Sequence, residues 1–298
     1  MQKFLVITLL CLSSCDIQEK PYTLLLGPNH EFIANALPSR DVAISPAGDE
    51  IYYCIYAPDY SYSVIHCRKY VNGKWTAPET ASFSKDSLYK YIEPAFNRDG
   101  SILYFSSNRP SGRGGEELNN DIWAVKREGD GWGEPYNIGA PVNTDGGEYF
   151  PSFTSDGSMY FTRNKANVVT SHIFKSAYSD GIFQEPVLLP AQINCGKDRY
   201  NAFVAPDESF VVVPAEGVEE NMYGSNYYIV FREEDGSWSS PLNMGPDFNT
   251  VPGRGWSFSM SPDLKYVFFM AKKTKEGVSN MYWMESGVIE ELRKSNTE

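Results

Sequence analysis

The chain has 298 residues and a formal net charge of −12 at pH 7. This acidic balance argues against nucleic acid or another polyanion as a partner, because both need a basic footprint on the protein. The length allows one large β domain or two small ones, and the 20 Tyr, 17 Phe and 6 Trp suit sheets that pack face to face.

The N-terminus has the features of a targeting segment. Lys3 gives it a positive start, and residues 4–12 form an apolar run that is too short to span a bilayer. The tetrad Leu-Ser-Ser-Cys that ends at Cys15 resembles the lipobox of bacterial lipoproteins. The resemblance implies cleavage before Cys15 and lipid attachment to that residue.

We therefore expect a signal peptide at residues 1–14, a short tether at residues 15–20 and a folded domain at residues 21–298. The expected location is the bacterial cell envelope, with the membrane as a partner through the lipid on Cys15. The alternative is an ordinary secretory signal with a chance cysteine, which would give a soluble secreted protein.

A fivefold repeat follows. Each repeat contains a turn whose fourth residue lies 51 to 57 residues from the next, at Gly48, Gly100, Gly157, Glu208 and Leu264. An aromatic residue followed three positions later by proline recurs in phase, at Trp75/Pro78, Trp132/Pro135, Phe183/Pro186 and Trp238/Pro241. A period of this size, with several short strands per unit, is typical of a β-propeller.

One complete repeat shows the four strands, which begin near Glu93, Ile102, Asp121 and Trp132. The second strands of the repeats are nearly continuous apolar runs, as expected of sheets buried on both faces. We predict an all-β chain that forms a single propeller with five blades of four antiparallel strands. Six blades are the alternative.

The two ends of the chain predict how the ring closes. Residues 21–28 resemble the fourth-strand segments at 134–139 and 240–246, but no first three strands precede them. We predict that this N-terminal strand completes the last blade, with residues 23–26 in contact with residues 281–284. Alternatively, residues 288–292 supply the outer strand.

Two cysteines, Cys54 and Cys67, lie on consecutive strands joined by the loop at 57–62. A symmetric fold about this loop places them nearly opposite each other, so an oxidising envelope compartment could link them in a disulfide. Two buried free thiols are the alternative.

The repeat resembles the TolB-type, WD-repeat-like β-propeller repeat of bacterial envelope proteins. The resemblance rests on the S-P-D-G-like turns, the run LYFSSNR at 103–109 and DIW at 121–123. The resemblance implies a propeller fold. The members of the family include periplasmic interaction proteins and sugar-related proteins. Glu208 and Leu264 depart from the pattern because they replace the turn glycine.

The predicted propeller fold indicates which residues surround the mouth of its central channel. In a four-stranded blade, the loops that lead into the first strands share one face, here called the top face, with the loops between strands two and three. Aromatic, basic and acidic side chains together suit a small ligand or an inserted protein loop. The alternative is that these residues hold neighbouring blades together. The predicted ligand-binding residues are Arg40, Tyr91, Tyr149, Arg199, Tyr200, Arg254 and Trp256.

Three carboxylates, Asp41, Glu93 and Glu148, recur at nearly equivalent positions and could form a set for glycoside hydrolysis. The alternative role is to accept hydrogen bonds between blades. No cofactor is expected, and metal-ligand spacing is absent. Calcium is the alternative, because two groups offer oxygen ligands for it, although neither has an established calcium-loop spacing: Asn143, Asp145 and Glu148, and Glu116, Glu117, Asn120 and Asp121.

These observations predict a non-enzymatic binding or scaffolding lipoprotein of the cell envelope. Its partner would be an envelope protein or a glycan at the top face. The alternative function is that of a carbohydrate-active enzyme, a glycoside hydrolase or lyase that uses the rim carboxylates.

Overall fold

The computed structural model describes residues 20–27, 38–86, 88–111, 119–164, 170–219, 224–249, 255–272 and 279–296. Five antiparallel sheets, one from each repeat, surround a central channel. The first strands of the blades contact one another around the ring, and the first and last blades are in contact. The predicted five-bladed propeller is confirmed, and the six-bladed alternative is wrong. The predicted signal peptide and Cys15 lie outside the described residues.

Blades 1 and 2 each have three long strands and short outer strands that pair with the third. Blade 1 comprises β1 (Ser39–Ile44), β2 (Glu50–Tyr56), β3 (Ser63–Val71), β4 (Lys74–Trp75) and β5 (Glu79–Thr80). A 3-10 helix at Ser82–Ser84 leads to blade 2, which comprises β6 (Tyr91–Phe96), β7 (Ile102–Ser107), β8 (Asp121–Glu128), β9 (Gly131–Trp132) and β10 (Tyr136–Asn137).

The remaining blades follow the same order with more interruptions. Blade 3 comprises β11 (Gly147–Phe153), β12 (Met159–Asn164), β13 (Ser171–Ser176) and β16 (Val187–Leu188), with a hairpin of β14 (Tyr178–Ser179) and β15 (Ile182–Phe183) beside it. Blade 4 comprises β17 (Asp198–Arg199), β18 (Phe203–Val204), β19 (Phe210–Glu216), β20 (Asn226–Phe231) and β21 (Leu242–Asn243). Blade 5 comprises β22 (Phe258–Met260), β23 (Tyr266–Ala271) and β24 (Asn280–Glu285).

The apolar second strands are buried on both faces, as β19 shows. Its residues Val211 and Val213 pack in a cluster with Tyr160 of blade 3. Phe210 and Val212 point the other way, into a cluster shared with blade 5. Successive side chains of a strand alternate between its two faces, so a strand between two neighbouring blades needs an unbroken apolar run.

The N-terminal segment lies beside blade 5, as predicted, but not as a strand. Pro21–Leu25 forms a 3-10 helix, because proline at its first turn suits a helical start and the Thr23 N–H donates to the Lys20 carbonyl at 3.0 Å. Leu25 and Leu26 pack against the hydrophobic cluster that includes Met281, so the predicted position beside blade 5 agrees with the structure, whereas the predicted strand is wrong. The Trp283 indole N–H also donates to the Gly27 carbonyl at 3.1 Å.

The C-terminal segment is helical, so the alternative outer strand at 288–292 is wrong. Helix α1 (Gly287–Asn296) follows β24 and buries Ile289 in the cluster that blades 4 and 5 share. The Arg293 guanidinium lies 4.3 Å from the centre of the Phe231 ring. No helix among the described residues is long and apolar enough to cross a membrane.

The cysteines of blade 1 are free thiols, and the predicted disulfide is not formed. The β2–β3 register pairs Cys54 with Ile65 and Cys67 with Tyr52, so the two cysteines are diagonal neighbours rather than opposite partners. Both are buried, and burial raises the pKa of the Cys67 thiol to about 11. The alternative of two buried free thiols is what the structure shows.

Candidate functional site

Each blade places one residue of its inner edge at the same point of the central channel, seven positions before the fourth residue of its turn. These five residues, the channel ring, are Asp41, Glu93, Phe150, Asn201 and Ser257. The first four adopt a left-handed backbone, with φ between 51° and 61°. Pairing of the first and second strands shifts register there in blades 1, 2 and 3, as a β-bulge does.

The N–H groups of the channel ring make contacts with the preceding blade. Four of these N–H groups donate to side-chain oxygens there: Asp41 to Ser257 Oγ (3.0 Å), Phe150 to Glu93 Oε2 (2.8 Å), Asn201 to Thr162 Oγ1 (2.7 Å) and Ser257 to Tyr227 Oη (3.2 Å). The bulge therefore joins neighbouring blades, which accounts for a conformation that costs free energy in a non-glycine residue.

Two carboxylates of the channel ring form a buried ion-pair group with Arg40. Arg40 Nε donates to Asp41 Oδ2 at 2.6 Å, and Arg40 Nη2 donates to Glu93 Oε1 at 2.9 Å. The Ser106 hydroxyl donates to Glu93 Oε2 at 2.9 Å. Asp41 and Glu93 are each only 3% exposed. Burial raises the pKa of Glu93 to about 7, against the lowering effect of Arg40, and also raises the pKa of Asp41.

Below this group the channel widens into a cavity of about 200 Å³. Its walls run from Asp41 and Glu93 to the turns between strands one and two, on the face here called the bottom face. Most of the lining is apolar and includes Phe96, Phe153, Phe203, Phe258 and Met260. The ligand-binding residues predicted from the sequence were assigned to the top face, and this cavity was not predicted. The in-phase turns that end its walls were the available signal.

The predicted ligand-binding residues divide between the protein interior and the surface. Arg199 is 5% exposed and donates to the carbonyls of Cys195, Ser171 and Gly196. Tyr91 is fully buried. The bond from Arg199 to the Ser171 carbonyl joins blade 4 to blade 3, which is the kind of contact that the alternative role of these residues describes.

Other predicted residues keep partly exposed side chains. Tyr149 and Trp256 are half-buried, and so is Tyr200, whose hydroxyl donates to Glu216 Oε1 at 2.6 Å. Arg40 is committed to its two carboxylates. Arg254 lies outside the described residues.

An aromatic cluster at the top face joins Trp256 to the β2–β3 loop of blade 1. The Tyr60 ring lies 6.1 Å from Trp256 at an interplanar angle of 47°, and it stacks on Tyr56 at 5.1 Å and 11°. Tyr60 is 41% exposed and has a φ of 57°. Trp256 was predicted from the sequence as a binding residue, but its two tyrosine neighbours were not. Three tyrosines within seven residues, the third being Tyr62, were the available signal.

The three carboxylates considered as alternative catalytic groups do not share one open pocket. Asp41 and Glu93 line the end of the cavity but both are bonded to Arg40. Glu148 is fully buried elsewhere, where it accepts from the Thr144 hydroxyl at 2.6 Å and Arg163 Nε at 3.0 Å. Burial raises the pKa of Glu148, and the hydrogen bonds from Thr144 oppose that shift.

Two of the side chains considered for calcium have oxygen atoms engaged in the fold. Asn143 Oδ1 accepts from the Ile122 N–H at 2.9 Å, and Asp121 Oδ2 accepts from the Asn137 amide at 2.6 Å. Glu116 and Glu117 lie outside the described residues. Within the described ranges, no group of three or more His, Cys, Asp or Glu side chains could hold a metal ion.

No protein-family model and no curated protein sequence matches this chain. Its fold does match solved structures. A TolB-type protein of Agrobacterium tumefaciens aligns with a TM-score of 0.53 at 13% identity, over 84% of this chain and 78% of that one. A thermostable family-43 glycoside hydrolase aligns with a TM-score of 0.54 at 14% identity, over 85% and 91% of the two chains.

A GH43 endo-arabinanase of Bacillus licheniformis aligns with a TM-score of 0.52 at 12% identity, over 85% of this chain and 95% of that one. At such low identity the likeness shows the fold alone. TolB-type proteins and glycoside hydrolases thus share this propeller architecture, and function has to be argued from the site.

Proposed function

We propose that this protein is a non-enzymatic binding propeller of the bacterial cell envelope, anchored by a lipid on Cys15, whose top face binds a glycan. The observation that carries the proposal is the aromatic cluster of Tyr56, Tyr60 and Trp256. Two partly exposed rings at an angle of 47° offer flat apolar surfaces on which a sugar ring could stack.

The backbone of Tyr60 supports a binding role. A tyrosine at a φ of 57° is strained, and such strain persists only where surrounding contacts hold the residue in place. Parallel stacking on Tyr56, which is only 5% exposed, supplies such a contact. The ring of Tyr60 is therefore positioned before a ligand arrives, which lowers the entropic cost of binding.

The buried carboxylates favour binding over hydrolysis. A glycoside hydrolase needs two carboxyl groups on either side of the scissile bond, about 5 to 9.5 Å apart. Here Asp41 and Glu93 are paired with one guanidinium, and Glu148 is bonded to Thr144 and Arg163. A substrate would have to displace these partners to reach any of the three.

The proposal is tested by a binding screen of residues 16–298 against a glycan array and envelope extracts. We expect saturable binding to a glycan that Tyr60→Ala and Trp256→Ala each weaken at least tenfold. Tyr178→Ala is the matched control, because Tyr178 is also 41% exposed but lies on the hairpin beside blade 3. Binding that all three variants retain would contradict the proposed site.

Product analysis separates a binder from an enzyme. Any bound glycan is incubated with the protein, and we expect it to be recovered intact. Cleavage that is lost in Glu93→Gln would replace the binding function with the hydrolase. Capture of an envelope protein through the same two aromatic residues would keep the site but change the class of partner.

A further inference from the structure

The first described residues are fixed to the bottom face. Lys20 Nζ donates to the Ala47 carbonyl at 3.3 Å, and the Tyr22 hydroxyl donates to Asp263 Oδ1 at 2.5 Å. Ala47 and Asp263 belong to the turns between strands one and two of blades 1 and 5. The chain therefore joins the propeller at the seam between its first and last blades, at the end where these turns lie.

The attachment at this seam is firm. Tyr22 is fully buried and its ring meets Tyr266 edge to face at 6.1 Å. The Trp75 indole N–H donates to the Pro21 carbonyl at 3.0 Å, which ties the segment to blade 1 as well. A buried aromatic side chain with a hydrogen-bonded hydroxyl anchors a segment strongly, so the position of Lys20 is set by the fold.

The segment between Cys15 and Lys20 is short. Cys15 precedes Lys20 by five residues, and five residues span at most about 18 Å even when fully extended. The six-residue strands of a blade are themselves about 20 Å long from the bottom turns to the top loops. A lipid on Cys15 can therefore keep the bottom face close to a bilayer, whereas the top face lies beyond the reach of the tether.

We propose that the bottom face, with the mouth of the central cavity, faces the phospholipid surface and that the top face points into the aqueous compartment. This inference rests on the proposed lipid attachment to Cys15. It leaves the aromatic cluster of Tyr56, Tyr60 and Trp256 open to large ligands, and it restricts access to the cavity to molecules that enter between protein and membrane.

Charge does not provide the attachment. Four bottom turns carry an aspartate, at Asp99, Asp156, Asp207 and Asp263, and Glu208 adds a fifth carboxylate. Basic side chains lie beside them, among them Lys175, which pairs with Glu208, and Lys265, which pairs with Asp263. The bottom turns therefore carry charges of both signs rather than the polybasic patch that anionic headgroups attract. The short tether alone holds it near the membrane.

The test uses the full chain, expressed with its signal and reconstituted in vesicles of phosphatidylethanolamine and phosphatidylglycerol. A fluorophore is attached through Arg98→Cys in a bottom turn or Ser61→Cys in a top loop, both exposed positions. Lipids with nitroxide headgroups act as quenchers. The native Cys54, Cys67 and Cys195 are buried, and unsubstituted protein controls for their labelling.

We expect quenching at position 98 to exceed quenching at position 61 at least threefold. Insertion of twenty Gly and Ser residues before Lys20 should abolish the difference, because a long flexible tether lets the propeller reorient. Equal or reversed quenching in the native chain would overturn the orientation, and a difference that survives the insertion would overturn the tether as its cause. Mass spectrometry of the N-terminal peptide tests the lipid separately. An unmodified Cys15 would overturn the anchor and this inference, but not glycan binding.

Discussion

At the scale of single residues, one buried cation, Arg40, forms ion pairs with two carboxylates, Asp41 and Glu93. One guanidinium offsets one carboxylate, so the group keeps an excess negative charge in a site from which water is largely removed. Burial is the main cause of the upward shift of the Glu93 pKa. The neighbouring Asp41 carboxylate adds to this shift, whereas Arg40 opposes it.

This shift predicts the direction of a pH effect on stability. The pKa of Glu93 rises from 4.5 in the unfolded chain to about 7 in the fold, so the folded state binds more protons between these values. The contribution of Glu93 to stability is therefore greatest below pH 4.5 and is lost as the pH rises to 7. We expect unfolding free energy from urea titrations to fall by roughly 2 kcal/mol between pH 5 and pH 8.

The Glu93→Gln variant should lose most of that fall, because its amide does not titrate. Asp156→Asn is the matched control, since hydrogen bonding from Thr154 lowers the pKa of Asp156 to about 2 and it remains ionised throughout this range. An unchanged pH dependence in Glu93→Gln would assign the effect to another group, of which Asp41 and Glu148 are the next to test.

At the scale of elements, the five first turns keep one backbone conformation with different residues. Gly48, Gly100 and Gly157 have φ between 74° and 86°, whereas Glu208 and Leu264 have φ of 58° and 59° at the equivalent positions. This left-handed conformation is readily adopted by glycine but is strained in Glu208 and Leu264. An ion pair between the Glu208 carboxylate and Lys175, at 2.7 Å, offsets part of the strain at Glu208.

Leu264 is 40% exposed and gains little from burial, so Leu264→Gly should stabilise the protein by about 0.5–1 kcal/mol. Gly100→Ala should destabilise it by about 1–2 kcal/mol, because the new Cβ would lie 3.1 Å from Pro46 Cδ in a left-handed backbone. Equilibrium denaturation measures both. Loss of stability in Leu264→Gly would mean that the packing of this side chain outweighs its strain.

At the scale of the whole molecule, one short segment reinforces the closure of the ring, where blades 1 and 5 are in direct contact. Tyr22 contacts blade 5 through Asp263 and Tyr266, and Pro21 accepts from Trp75 of blade 1. We expect Tyr22→Ala to lower the free energy of unfolding by about 3–5 kcal/mol, as for other buried aromatic residues.

The control for this prediction lies two residues away. Leu24 is 66% exposed, so Leu24→Ala should change the free energy of unfolding by less than about 0.5 kcal/mol. Tyr22→Phe should cost about 1.5–3 kcal/mol, the net value of one hydrogen bond to a charged group, because the hydroxyl donates to the Asp263 carboxylate. If Tyr22→Ala and Leu24→Ala had equal effects, the segment would not contribute to closure through Tyr22.

The sequence predicted the parts of this architecture that are local or periodic. Turn spacing determined the number of blades, and the likeness of residues 21–28 to fourth strands predicted the closing contact. The 3-10 helix depends on the particular hydrogen bonds of Thr23 and on packing against Trp283, which no repeat pattern encodes. The roles of Arg40 and Glu93 were open because they depend on a contact across 53 positions of sequence.

The closing contacts also constrain the order of folding. Tyr22 and Asp263 are separated by 241 positions, and Gly27 and Trp283 by 256. The segment is therefore synthesised long before the residues with which it pairs. A chain still emerging from the ribosome lacks the strands against which Tyr22 packs. The propeller stays open until nearly its whole length has been released, and its final step pairs the most distant parts of the sequence.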